Sequence, residues 1–116
     1  MAVTYDPATL ARFTEKARKE GIRTAVSSKN PLLFQVSSSV PGQPAYAVRV
    51  IDNQSMPVEA SCTCKAGQSE IACKHGAAAI SAVRLRRARN AGKALRRGYR
   101  ASDAGRMLRA AKEVAA

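Results

Sequence analysis

The chain has 116 residues, a length that suits one domain and excludes a two-domain enzyme. Leu, Ile, Val and Phe make up only 18% of the residues, and 23 alanines supply almost half of the hydrophobic content. A formal net charge of +12 predicts a polyanionic partner, and we expect neither a membrane-spanning segment nor a signal peptide. We therefore expect an intracellular protein, cytoplasmic or nucleoid-associated, whose fold needs more than a hydrophobic core.

The first predicted element is a helix. Asp6 followed by Pro7 is typical of an N-cap and a first helical position, and apolar residues then follow at helical spacing as far as Ala17. Gly21 is placed to end the element. The sequence therefore predicts a helix from about residue 7 to residue 20.

Four segments with alternating apolar and polar residues come next, at about 22–26, 32–36, 46–50 and 58–64. Their separators are rich in Pro, Gly, Asn and Ser, and such short turns favour antiparallel neighbours. In every segment the apolar residues, Tyr46 among them, fall on even-numbered positions, which are assigned to the core. The sequence predicts a sheet of about four antiparallel strands, with these residues on the opposite face: Arg23, Gln35, Arg49 and Glu59.

A second helix is predicted after Cys73, where small residues over 76–83 would let it approach the sheet closely. Past Val83, the arginines at 84, 86, 87 and 89 point to well-separated sides of a helix, so this turn has no apolar stripe to be buried. That part should project into solvent or lie along an anionic partner. We predict an α+β domain over residues 1–83 and a basic helical extension over residues 84–116, partly disordered when free.

The three cysteines and the only histidine lie within 14 residues of one another, as Cys62, Cys64, Cys73 and His75. Three thiolates and one imidazole form a complete tetrahedral set for Zn²⁺, and a closed set is typical of a structural site. The alternative is that the cysteines pair by chance and the histidine is a core residue. Structural zinc would also compensate for the poor core, and Lys65 and Lys74 would oppose the negative charge of the centre.

The motif C-x-C, eight residues and C-x-H, with a strand before it and an Ala-rich helix after it, resembles the SWIM zinc finger. The resemblance covers about residues 32–83 and places the finger itself at about 45–83. It implies that Cys62, Cys64, Cys73 and His75 hold one structural zinc ion on a strand, strand, helix unit. Members of this family occur in chromatin ATPases, transposases and recombination-mediator complexes, with proposed roles in DNA binding and protein interaction.

The sequence does not predict an enzyme, and we assign no catalytic residue. A closed four-ligand site leaves no position for a substrate on the metal, and the C-x-x-C pair and nearby Glu of zinc deaminases are missing.

Charge predicts nucleic-acid binding instead, because the last 33 residues carry +9 of the net charge. We expect backbone contact with DNA, with RNA left open, and little base readout, since Tyr99 is the one aromatic residue in the basic stretch. An alternative is an adaptor whose basic helix docks on an acidic protein, helped by alanines at 77, 78, 82, 88 and 91. The predicted nucleic-acid contacts are Arg84, Arg86, Arg87, Arg89, Lys93, Arg96, Arg97 and Arg100.

Overall fold

A computed structural model of the chain describes residues 2–53 and 56–96, and it has the predicted α+β class. It begins with a short strand and a helix, continues through four further strands, and ends with one short and one long helix. In chain order the elements are β1 (Val3–Thr4), α1 (Pro7–Lys19), β2 (Thr24–Val26), β3 (Leu33–Val36), β4 (Tyr46–Ile51), β5 (Glu59–Cys62), α2 (Lys65–Gln68) and α3 (Lys74–Arg96).

The strands form one antiparallel sheet of five strands in the order β1-β5-β4-β3-β2. The predicted number was about four, and the additional strand is β1, which pairs Val3 with Ala60 and Thr4 with Glu59. A strand of two residues is too short to show an alternating pattern, so periodicity could not reveal it. Its pairing brings the N-terminal segment beside β5, which leads directly to the cysteines.

The even-numbered positions of the sheet form the core, as predicted. Phe34, Val36, Val48 and Val50 are all buried, and α3 covers this face while α1 packs against α3. Gln35 and Arg49 are exposed on the other face, as expected. The prediction fails in β2, where all three residues are exposed because the strand lies at the edge of the sheet.

The boundaries of α1 agree with the sequence signals. The Asp6 side chain accepts a hydrogen bond from the Thr9 amide at 2.7 Å, and this bond lowers the pKa of the Asp6 carboxyl. Gly21 has a φ of +69°, a left-handed conformation that glycine adopts readily after a helix. The helix is joined to α3 by a hydrogen bond of 2.8 Å between the Thr14 and Ser81 hydroxyls.

The long helix α3 runs without a break through the predicted domain boundary at residues 83 and 84. Its first half lies close to the sheet through small and branched residues, including Ala77, Ile80 and Val83, which are fully buried. None of residues 84–89 is fully buried, whereas Ala91, further along the helix, is only 5% exposed. The predicted extension beyond residue 96 lies outside the described residues.

Two arginines of α3 are bound to the domain rather than projecting from it. Arg86 donates to the Pro31 carbonyl at 2.9 Å, and Arg87 forms an ion pair with Asp52 at 3.0 Å. Long side chains can reach from a helix to neighbouring loops. The distribution of arginines around the helix, read from the sequence, does not reveal such contacts. Among the helices over residues 2–53 and 56–96, none combines the length and the apolar character that crossing a bilayer requires.

Candidate metal centre

The fold brings Cys62, Cys64, Cys73 and His75 together at one end of the sheet. Their sulfur and nitrogen ligand atoms all lie within 4.8 Å of one another. Cys64, Cys73 and His75 are buried, Cys62 is half-buried, and none of the cysteines is in a disulfide. The side chains arrive from three places: the end of β5, the start of α2, and the start of α3.

The turn between the first two cysteines is held by the residue between them. Thr63 accepts a hydrogen bond from the Ala47 amide through its hydroxyl at 3.0 Å and donates its own amide to the Ala47 carbonyl at 3.1 Å. Its carbonyl accepts a bond from the Gln68 side chain at 2.8 Å. These three bonds tie the C-x-C turn to β4 on one side and to α2 on the other. Sequence reasoning treated Thr63 as a spacer and missed this role.

The start of α2 is capped by a sulfur atom. Cys64 is the N-cap residue, and its Sγ accepts a hydrogen bond from the Gly67 amide at 3.3 Å. Gly67 also packs directly on the Cys62 carbonyl, so that a Cβ at this position would overlap the carbonyl oxygen. A glycine three residues after Cys64 is therefore required by the path of the chain around the site.

The helix α2 ends in a tight reversal that leads to the second ligand pair. The Ile71 amide donates to the Ala66 carbonyl at 2.9 Å, and Glu70 lies between them with a left-handed φ of 57°. This bonding pattern is the Schellman motif, in which glycine is the usual residue at the left-handed position. The reversal delivers Cys73 to the start of α3, one residue ahead of the helix, with His75 in its first turn, as predicted.

All three sulfur atoms accept a backbone hydrogen bond. Besides the bond to Cys64, the Cys64 amide donates to Cys62 Sγ at 3.5 Å and the Gly76 amide donates to Cys73 Sγ at 3.4 Å. The pKa of Cys73 is lowered by a hydrogen bond from Cys62, with further bonds from Gly76 and Tyr5, while the pKa of Cys62 is raised by the same sharing of a proton. Such an environment stabilises a thiolate, the form in which cysteine binds metal.

His75 has no hydrogen-bond partner for either ring nitrogen among the described residues, although both nitrogens are buried. Its ring contacts Tyr46, with 4.5 Å between the ring centroids and 51° between the planes. Tyr46, expected in the sheet core, is half-buried and supports this imidazole. A buried imidazole without a partner is costly, and a metal ion would satisfy one of its nitrogens.

The cluster suits one zinc ion. Zn–S bonds of about 2.3 Å in a tetrahedron place ligand atoms roughly 3.8 Å apart, so the observed cluster needs to contract by about 1 Å or less. Zinc would act here as a structural cross-link between β5, α2 and α3. The expectation that Lys74 offsets the charge of the centre is not supported, because its ammonium group binds Glu20 at 2.8 Å and Ser39 at 3.0 Å. That bond lowers the pKa of Glu20.

Two other residues near the site were missed by the sequence analysis. The Tyr5 hydroxyl contacts the main chain of Cys73, and burial raises the pKa of this phenol, which stays protonated. Gly76 packs against the same hydroxyl. Tyr5 lies 68 residues from Cys73 in the chain, so no local pattern could have connected them.

The eight predicted nucleic-acid contacts are distributed unequally. Arg86 and Arg87 are bound to the domain, and Arg84 is half-buried in a groove of about 350 Å³ between α1 and α3. Arg89 and Lys93 are exposed. The other three predicted contacts, at 96, 97 and 100, have side chains outside the described part of the chain.

Comparison with known proteins identifies the metal-site segment. The family model of the SWIM zinc finger matches residues 46–84, which include β4, β5, α2 and the first half of α3. No curated protein and no solved structure matches the chain. The matched segment contains all four members of the cluster in the order C-x-C, eight residues, C-x-H. Residues 46–84 therefore match the SWIM zinc finger, and they contain a Cys/His cluster suited to holding one zinc ion.

Proposed function

We propose that this protein is a zinc-stabilised DNA-binding protein that contacts the phosphate backbone through the exposed basic side of α3. The observation that carries the proposal is the exposure of Arg89 and Lys93 on successive turns of this helix, about 6 Å apart along its axis. The metal cluster and the sheet would fix the first half of α3, so that the second half presents these charges on a rigid support. Three further arginines of the predicted set, at 96, 97 and 100, continue the basic stretch.

The other arginines of α3 have a different role in the proposal. Arg86 and Arg87 hold the helix against the loops that contain Pro31 and Asp52. They fix the direction of the helix, while Arg89 and Lys93 provide the contacts. We propose no catalytic residue, since a zinc ion with four protein ligands has no position open to a substrate. An intracellular setting fits three cysteines that form no disulfide.

Salt-dependent binding to duplex DNA tests the proposal. The variant Arg89→Ala/Lys93→Ala should bind more weakly, and the slope of log K against log salt should become less steep by about 1.8, since each lost phosphate contact removes about 0.9. The matched control is Lys16→Ala/Lys19→Ala, which removes the same charge from exposed positions of α1. The control should keep the slope of the unchanged protein.

Two outcomes would contradict the proposal. Equal loss in both variants would mean that net charge, and not this side of α3, drives binding. A flat salt response of the unchanged protein would exclude backbone contact altogether. The same titration with single-stranded DNA and with RNA decides between the nucleic acids, and a preference for RNA would replace DNA in the proposal.

The adaptor alternative has less support from the folded chain. Of the alanines that would let a partner helix approach, Ala77 and Ala91 are buried, Ala78 and Ala82 pack against the core, and only Ala88 is exposed. Truncation after Val83 cannot discriminate the two functions, because it would also remove the domain contacts of α3. Point substitutions on the exposed side of the helix are therefore the sharper test.

A further inference from the structure

The N-terminal segment contacts the metal centre directly, although it lies outside the matched residues 46–84. Tyr5 follows β1 and is only 2% exposed. Its hydroxyl donates to the Cys73 carbonyl at 2.9 Å and accepts from the Cys73 amide at 2.9 Å. The same oxygen lies 3.8 Å from Cys73 Sγ. One side chain thus binds both main-chain groups of a ligand residue.

The contact is built tightly from both sides. The Tyr5 amide donates to the Val58 carbonyl at 2.8 Å, which fixes the position from which the ring extends. On the far side, Gly76 leaves room for the hydroxyl, and a Cβ there would overlap the Tyr5 oxygen and lie 3.1 Å from the ring carbon that carries it. Gly76 is therefore needed because a larger residue would occupy the space of the Tyr5 hydroxyl.

The orientation of Cys73 matters because it sets the positions of both members of the second ligand pair, Cys73 and His75. Its carbonyl accepts the first bond of α3, from the Ala77 amide at 3.2 Å, and its Sγ accepts the Gly76 amide. A rotation of this residue would move its sulfur and would change the direction in which the helix carries His75. A group that holds both its amide and its carbonyl therefore fixes two of the four ligands.

We propose that Tyr5 is a positioning residue of the zinc centre, so that zinc loading is linked to docking of the N-terminal segment on β5 and α3. The hydroxyl is not a ligand. It sets the main chain of Cys73 before the metal binds. It gives the buried Cys73 amide a partner and adds a second hydrogen bond to the carbonyl that also accepts the Ala77 amide. The inference concerns zinc loading alone and does not rest on the proposed DNA binding.

The first test is Tyr5→Phe, which keeps the ring and removes the hydroxyl. Competition with a chromophoric chelator should show a 10-fold to 100-fold loss of zinc affinity, the usual effect of losing a group that orients a ligand. The absorption bands of the Co²⁺-substituted protein should also shift, because the position of one sulfur changes. The matched control is Thr14→Val, which removes a hydroxyl from the contact between α1 and α3 away from the metal.

The second test is a double-mutant cycle with Gly76→Ala. Alone, this substitution should lower zinc affinity at least 10-fold, because the new Cβ displaces the Tyr5 hydroxyl. In the Tyr5→Phe background it should cost less than 3-fold, since the overlapping oxygen is gone and alanine is the better helix former. Additive losses would mean that the two residues act independently and would overturn the proposal.

Amide hydrogen exchange of the unchanged protein, with and without Zn²⁺, is a test that needs no variant to fold. Adding Zn²⁺ should increase the protection of the Tyr5 and Cys73 amides together. Protection of the Cys73 amide alone would overturn the linkage to the N-terminal segment. Zinc affinity of Tyr5→Phe within 2-fold of the unchanged protein, or an equal loss in Thr14→Val, would overturn the positioning role.

Discussion

Removing zinc should strongly destabilise this protein, because the metal would cross-link three elements that meet around the cluster. The C-x-C turn, α2 and the start of α3 meet around the cluster, and α2 is a single turn of four residues. The largest fully buried side chains belong mainly to the sheet and to α3, at Val48, Ile80 and Val83 among others, and none belongs to the C-x-C turn or to α2. Both nitrogens of His75 would remain buried and unpaired, at roughly 1–3 kcal/mol each.

The size of the effect follows from mass action. Structural zinc contributes about 10–16 kcal/mol of apparent binding free energy in small fingers, comparable with the whole stability of a small domain, about 5–15 kcal/mol. Even at free zinc only 1,000 times the dissociation constant, the stabilisation is about 4 kcal/mol. For a domain of this size, that difference shifts the melting temperature by roughly 16–32 °C, at about 4–8 °C per kcal/mol.

The assay is thermal unfolding followed by circular dichroism, with zinc-loaded protein before and after addition of a strong chelator. Elemental analysis should first give one Zn²⁺ per chain. The variant Cys73→Ser lacks one ligand and should melt early with or without chelator, which serves as the control for effects of the chelator itself. If the chelated protein melts cooperatively within about 5 °C of the loaded protein, zinc is not what holds this end of the fold.

Two further predictions concern the same centre. Gly67→Ala should destabilise the zinc-loaded protein by about 1–3 kcal/mol in chemical denaturation, because the new Cβ overlaps the Cys62 carbonyl. The control is Gly92→Ala, which has no described atom within 4 Å of the new Cβ and should stabilise α3 by about 0.5–1 kcal/mol. A neutral effect of the first substitution would contradict the packing described. Zinc affinity should rise with pH across the neutral range, because the raised pKa of Cys62 keeps a proton on its thiol that zinc must displace. Competition titrations at several pH values check this, and affinity that does not change with pH would refute it.

The sequence predicted those parts of the fold that depend on local patterns. Alternation placed Val36, Val48 and Val50 in the core, and the Asp6 cap and Gly21 defined α1 closely. It could not predict β1, whose two residues become a strand only by pairing with β5. It also could not show that Arg86 and Arg87 bind loops 55 and 35 residues away, because such contacts depend on the completed fold.

The candidate site divides in the same way. The four members of the cluster were predictable because their chemistry and spacing are both distinctive. The residues that orient them were not, since threonine, tyrosine and glycine occur in any sequence without marking a site. A glycine three residues after Cys64 and another three residues after Cys73 form a repeated C-x-x-G pattern, and each donates its amide to the preceding sulfur. This repeated pattern was the sequence feature that could have identified the two glycines, and the prediction of the site did not use it.

The matched family segment is not a complete folding unit in this protein. Within residues 46–84, β4 has β3 on one side, and β5 has β1 on the other. The core cluster that contains the buried residues of the segment also includes Leu10 of α1 and Phe34 and Val36 of β3, none of which belongs to the segment. Lys74, inside the segment, is held by Glu20 and Ser39 outside it. The N-terminal half of the chain therefore provides contacts that the matched segment lacks by itself. The proposed binding surface lies on α3, and the direction of this helix depends on both halves.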